Sequence, residues 1–216
     1  MTKDEKIIKT HHNYILGKLV PFFAHEMNNF ITTISGYSQM ALTLKKEDVI
    51  MKSIEQNEEI CKKIRNFTSN IFTLAERDIF KKSPIRLKNI LTFIDELYGY
   101  HLKKRNILLE TTSTENSFLT CNKTLLNLFL FTLILDSEER FLKKEEEGKI
   151  EILTEEKEIT YRDSSSEKSQ FLEFNSKEIP TQEPELGWYA LEKIAEIHKW
   201  HIEKEYTNGN EIKIKI

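Results

Sequence analysis

The chain has 216 residues, a net charge of −3 and 31% charged residues. It is long enough for one domain or two small ones with a real core. Lys and Arg are interleaved with Asp and Glu, so nothing suggests nucleic-acid binding. No apolar run reaches the length of a membrane span, and Met1 to Thr10 is too charged for a signal peptide, so the expectation is a soluble, cytoplasmic protein without a membrane partner. Six glycines and four prolines suit long helices and leave little material for a glycine-rich phosphate loop. Cys61 and Cys121 lie far apart, without metal-type spacing, and read as two buried thiols in a reducing compartment.

Two long helices are expected first, from about Lys6 to Leu44 and from about Asp48 to Phe80. In the first, Leu16, Leu19, Val20, Phe23, Met27, Phe30, Ile31, Ile34, Tyr37 and Ala41 recur at helical spacing. His25 falls about 160° from the middle of that stripe at roughly 100° per residue. Asn29 shares its outer face and Phe22 lies one turn earlier, so an exposed imidazole with an amide beside it and an exposed aromatic above it is expected. Pro21 removes one backbone hydrogen bond and should bend the helix. The second helix repeats Ile50, Ile54, Asn57, Cys61, Ile64, Thr68, Ile71 and Ala75, widened by Ile60, Phe67 and Leu74. The turn Lys45-Lys46-Glu47 makes an antiparallel hairpin. Stripes this wide call for a second hairpin, hence a homodimeric four-helix bundle.

Ser83-Pro84 closes this section, giving domains at 1–82 and 83–216. A helix over Leu87–Lys104 follows, then short strands at Ile107–Thr112 and Ser117–Cys121 and a helix over Lys123–Lys143. Lys149–Thr154 and Glu158–Arg162 alternate as paired strands. The stretch Ser164 to Glu185 reads as loop, with a strand at Gln170–Asn175. Gly187–Lys199 is a helix, with His198 and Trp200 packing it on the sheet. His201–Tyr206 and Glu211–Ile216 form a hairpin around Asn208-Gly209. His11 and His12 are placed on the helix surface or the dimer seam. The fold class is α+β.

His25-Glu26-Met27-Asn28-Asn29, followed by Ile34 to Ala41, resembles the H-box of bacterial two-component sensor histidine kinases. The hairpin is similar to their dimerisation and phosphotransfer domain, although Phe30 stands where the family usually has proline. The second half resembles their ATP-binding domain in the order of its elements. Leu125-Leu126-Asn127-Leu128-Phe129-Leu130 looks like the N-box helix, but Phe131 stands where the family holds magnesium with a second asparagine. Asp163 has two readings, the family's adenine-reading aspartate or a loop residue, and Ser165 replaces the expected glycine. Of the glycine-rich G2 segment, Glu183-Pro184-Glu185-Leu186-Gly187-Trp188 keeps only Gly187. Carboxylates there would oppose a triphosphate, by several kcal/mol at about 4 Å.

The resemblance therefore implies a degenerate nucleotide site at Asn127, Asp163 and Gly187, no bound cofactor, and a histidine that trades phosphate with response-regulator receiver domains. His25 would be the nucleophile, Glu26 would accept the Nδ1 proton, and Asn29 would sit beside them. Phe22, Phe23 and Asn28 would dock the receiver, which brings its own Mg2+. A phosphatase, a scaffold that engages a sensor kinase, and a true but degenerate kinase are the competing expectations.

Overall fold

The computed structural model describes residues 2–76, 81–114, 117–174 and 179–216. The chain divides into two compact units, Leu16–Ala75 and, together, Met1–Ile15 with Glu76–Ile216. The expected hairpin of 1–82 thus gives up its first turns. Ile7, Ile8 and Ile15 are buried and belong with the C-terminal unit.

Helices α1 (Lys3–Leu44) and α2 (Glu47–Leu74) carry the hairpin unit. Helix α2 ends at Leu74, with Ala75 as its C-cap, short of the expected Phe80; residues 77–80 lie outside the described residues. Helix α1 runs unbroken through Pro21. The antiparallel pairing is read from the rings of Phe23 and Phe30, both edge-on to Phe67, and from Asn57 Nδ2 donating to Ser38 Oγ at 3.2 Å. In α2 the buried residues are Ser53, Ile60, Phe67 and Leu74, a strict seven-residue spacing. The widening residues Ile60, Phe67 and Leu74 are thus among the buried ones, and Phe67 meets Phe22, Phe23 and Phe30 of α1. The main stripe is left partly in solvent, with Ile50, Ile54 and Cys61 exposed. Cys61 corrects the expectation of two buried thiols; Cys121 is buried, and burial pushes its thiol up to about 12.

The second unit is a two-layer α+β domain. Strands β1 (Ser83–Arg86) and β3 (Phe118–Cys121) form a small antiparallel sheet. The main sheet has the order β2-β4-β5-β7-β6, built from β2 (Ile107–Ser113), β4 (Gly148–Thr154), β5 (Glu158–Asp163), β6 (His201–Tyr206) and β7 (Asn210–Lys215). Only the β2–β4 pair is parallel. Alternation puts Ile150 and Ile152, Ile159 and Tyr161, and Ile212 and Ile214 on the buried face. Against it lie α3 (Leu87–Ile94), continued through a π-turn at Asp95–Gly99 into α4 (Tyr100–Lys104), and α5 (Lys123–Lys144), which packs on α6 (Glu185–His198). Asn122 caps α5, its side chain accepting from Leu125 N. The expected strand at Gln170–Asn175 is a single 3-10 turn at Gln170–Leu172, with Asn175 outside the described residues. Ser169 caps it and Phe171 alone goes into the core, stacked on Trp188, too little alternation to sustain a strand.

His198 and Trp200 stack with ring centroids 4.4 Å apart, as expected of residues that hold α6 on the sheet. His198 Nδ1 donates to Ile194 O at 2.8 Å, so Nε2 is left to accept from Asn122 N–H at 3.1 Å. Burial lowers this imidazole below its ordinary 6.5. The unfolded chain then binds the proton more readily, so this residue's contribution is complete above 6.5 and is lost as the pH falls toward the folded value. Thermal midpoints measured from pH 8 to pH 5 should decline below 6.5 in the wild type, and more gently in His198→Gln.

Candidate functional site

His25 sits in the middle of α1 and is exposed, as are Ala24 and Asn28, while Glu26, Met27 and Asn29 are half-buried. The next residue on a helix points about 100° away, so Glu26 leans off the ring's axis. Its Oε1 accepts from Asn29 Nδ2 at 3.1 Å. This i, i+3 pair fixes the acid and the amide together on the flank of the histidine. Farther on, Thr32 and Thr33 return their hydroxyls to the carbonyls of Asn28 and Asn29, both at 2.8 Å.

The expected exposed aromatic is absent from this face. Phe22 and Phe23 are only 7% and 8% exposed. Both pack on Phe67, with centroids 6.0 and 5.9 Å away, and on each other at 5.5 Å. The reason is the size of the opposing residue: a phenyl ring on α2 reaches past the central line of α1 and gathers Phe22 from its edge. Both therefore belong to the aromatic packing between α1 and α2, which corrects the expectation of an exposed Phe22. Asn28 remains on the exposed side.

The second predicted site falls apart into three separate environments. Asp163, the last residue of β5, is 4% exposed and closed within the protein. Its Oδ1 accepts from Arg140 Nη1 at 3.0 Å, Ser165 N at 3.0 Å and Asn210 Nδ2 at 2.9 Å. Its Oδ2 accepts from Arg140 Nη2 and Ser137 Oγ, both at 2.7 Å. Five donors use up the lone pairs of a carboxylate, leaving none to read a base.

Asn127 is completely buried in α5, and neither its Nδ2 nor its Oδ1 has a hydrogen-bond partner among the described residues. Four residues on, Phe131 is likewise fully buried, with its ring edge-on to Phe93 and Tyr98. An unpaired buried amide costs about 1–3 kcal/mol. Replacing Asn127 with leucine should therefore raise the urea-unfolding free energy of the α+β unit by about 1 kcal/mol. A comparable loss instead would give the amide a polar role.

Gly187, in the first turn of α6, donates its N–H to Glu183 Oε2 at 3.0 Å. Glu183 Oε1 lies 2.9 Å from His11 Nδ1, and His11 Nε2 lies 2.8 Å from Thr132 Oγ1. His11 is 1% exposed and His12 5%, which corrects the helix-surface alternative expected for the two. The residues that matter here, His11 and Thr132, escaped the sequence reading. The available signal was that His11 stands midway between Ile7 and Ile15 on one helical line, where a polar residue needs a buried partner. Among the described residues no group of His, Cys, Asp and Glu is arranged to hold a metal ion.

No family model matches the chain, and no curated protein matches it either. Solved structures do. The catalytic domain of histidine kinase ThkA, in a nucleotide-free form, aligns with a TM-score of 0.52 at 20% identity, covering 63% of this chain and 97% of that one. ThkA in complex with response regulator protein TrrA aligns with a TM-score of 0.51 at 20% identity, over 94% of this chain and 62% of that chain. The fold is that of the histidine kinases: long N-terminal helices followed by the ATPase-like α+β domain. Among the described residues no helix is long and apolar enough to cross a membrane.

Proposed function

We propose that the chain is a histidine phosphotransferase of a two-component phosphorelay, passing a phosphoryl group between receiver-domain aspartates through His25 without using ATP. The observation that carries this reading is His25 itself, exposed on a hairpin helix with Glu26 and Asn29 paired on its flank. Its Nε2 lone pair attacks the phosphorus of an aspartyl phosphate in line. A P–N bond forms as the P–O bond to the acyl oxygen breaks, and the receiver aspartate leaves as carboxylate. The Glu26 carboxylate steadies the positive charge that develops on the ring, with the Nδ1 proton directed toward it. The second receiver reverses the step. The receiver supplies Mg2+.

A receiver as partner is supported by the ThkA fold, which has been seen bound to a response regulator. A homodimer is supported by the apolar residues left exposed within the hairpin unit, among them Val20, Ile31, Ile54 and Phe72. Against ATP as donor stand the saturated carboxylate of Asp163, the buried ring of Phe131, and a carboxylate at the start of α6. Phosphate groups need helix N-termini and metal there, not anions.

The test is direct. Receivers charged with acetyl phosphate and Mg2+ should place acid-labile label on His25, and Mg-ATP alone should place none. Label from ATP, or none from any receiver of the same cell, overturns the reading.

A further inference from the structure

His11 and Glu183 form a contact that the relay chemistry does not use. Three segments of the α+β unit meet there. From α1 comes His11, flanked by the buried Ile7, Ile8 and Ile15. Helix α5 contributes Thr132, whose hydroxyl donates to Leu128 O at 2.7 Å and lies 2.8 Å from His11 Nε2. The turn before α6 contributes Glu183, whose carboxylate accepts at Nδ1 of His11 and from Gly187 N–H.

The two jaws of this contact differ. Thr132 stands in the core, 5% exposed. Glu183 stands on a turn whose neighbours Thr181, Gln182, Pro184 and Glu185 are all exposed. That turn is held by short-range bonds, Leu186 N to Gln182 O and Trp188 N to Pro184 O, and by the imidazole. One jaw thus lies in the core and the other on a solvated turn. Gly187 makes room for the arrangement: a Cβ built there would lie 2.6 Å from His11 Cε1 and 2.9 Å from Glu183 Oε2.

We propose that this is an intramolecular latch, in which docking of residues 3–15 on α5 and ordering of the 181–187 turn form one coupled equilibrium. Each end then reports on the other, as linkage requires. The latch stands whether or not His25 relays phosphate.

Hydrogen exchange on the full chain tests it from both ends. Gly187→Ala keeps both partners and is the better helix former, so it removes the latch by sterics without weakening α6. In this variant amides 5–15 should exchange at least tenfold faster, while those of α2 stay unchanged. His11→Ala should conversely speed exchange at residues 185–188 at least tenfold. Wild-type rates at 5–15 in Gly187→Ala, or at 185–188 in a folded His11→Ala, overturn the coupling. If His11→Ala fails to fold, the Gly187→Ala result decides.

Discussion

Replacing Arg140 with methionine is expected to cost the α+β unit about 3–5 kcal/mol, the largest loss of stability from any single substitution considered for this protein. Arg140 and Asp163 have side chains only 9% and 1% exposed, joined through both guanidinium Nη atoms. Burial works against the charge on Arg140, but hydrogen bonds to Asp163 and the nearby Asp136 more than offset it, and the guanidinium is held still more firmly protonated than usual. Methionine fills the volume and leaves the anion. Asp163 then keeps Ser137, Ser165 and Asn210 as donors but loses its only directly bonded cation. Asp136, whose carboxyl burial already pushes up, loses its restraining charge as well. The double variant Arg140→Met with Asp163→Asn should recover most of the loss, because the unpaired charge is then gone. Urea unfolding monitored by circular dichroism gives both numbers. A single-variant cost under about 1 kcal/mol would sink the argument that this pair is the electrostatic centre of the domain.

Changing His25 to alanine should remove phosphotransfer entirely and leave stability within about 0.5 kcal/mol of the wild type. The two expectations belong together, because the ring is exposed and none of the observed packing runs through it. Glu26→Gln should slow transfer by roughly 10²-fold, the size of a positioned acid–base contribution, without abolishing it. Asn29→Ala acts one step farther out, by freeing the Glu26 carboxylate from its amide partner, and should be milder than Glu26→Gln. Initial rates of label transfer from a phosphorylated receiver order the three variants. Transfer surviving in His25→Ala would place the phosphorylated residue elsewhere, and a wild-type rate in Glu26→Gln would remove the acid from the mechanism.

Much of this was legible from spacing. The turn between the two long helices, the outward angle of His25, the strands of the main sheet and the Asn208-Gly209 hairpin all follow from local periodicity, and Gly209 indeed takes a positive φ of 137°. Periodicity counts angles on one helix, however, and is blind to the size of what lies opposite. That is why Phe22 was placed in solvent and Cys61 in the core: Phe67 captures the first, and the hairpin by itself leaves the second uncovered. Pairings between distant charges were equally invisible. Nothing in the sequence says that Arg140 meets Asp163, or that His11 crosses to Glu183, 172 positions away. The 3-10 turn at Gln170–Leu172 reads as a strand because Leu172 and Phe174 imitate alternation over too short a run.

The cluster of Phe22, Phe23 and Phe30 around the single ring of Phe67 has a consequence for how such a protein can diversify. On the proposed reading, the brace behind His25 and the face offered to a receiver are made of different residues. Ala24, Asn28 and Thr32 can be exchanged to suit a new client without disturbing the mount, so recognition is tunable while the mechanical setting of the imidazole is inherited intact.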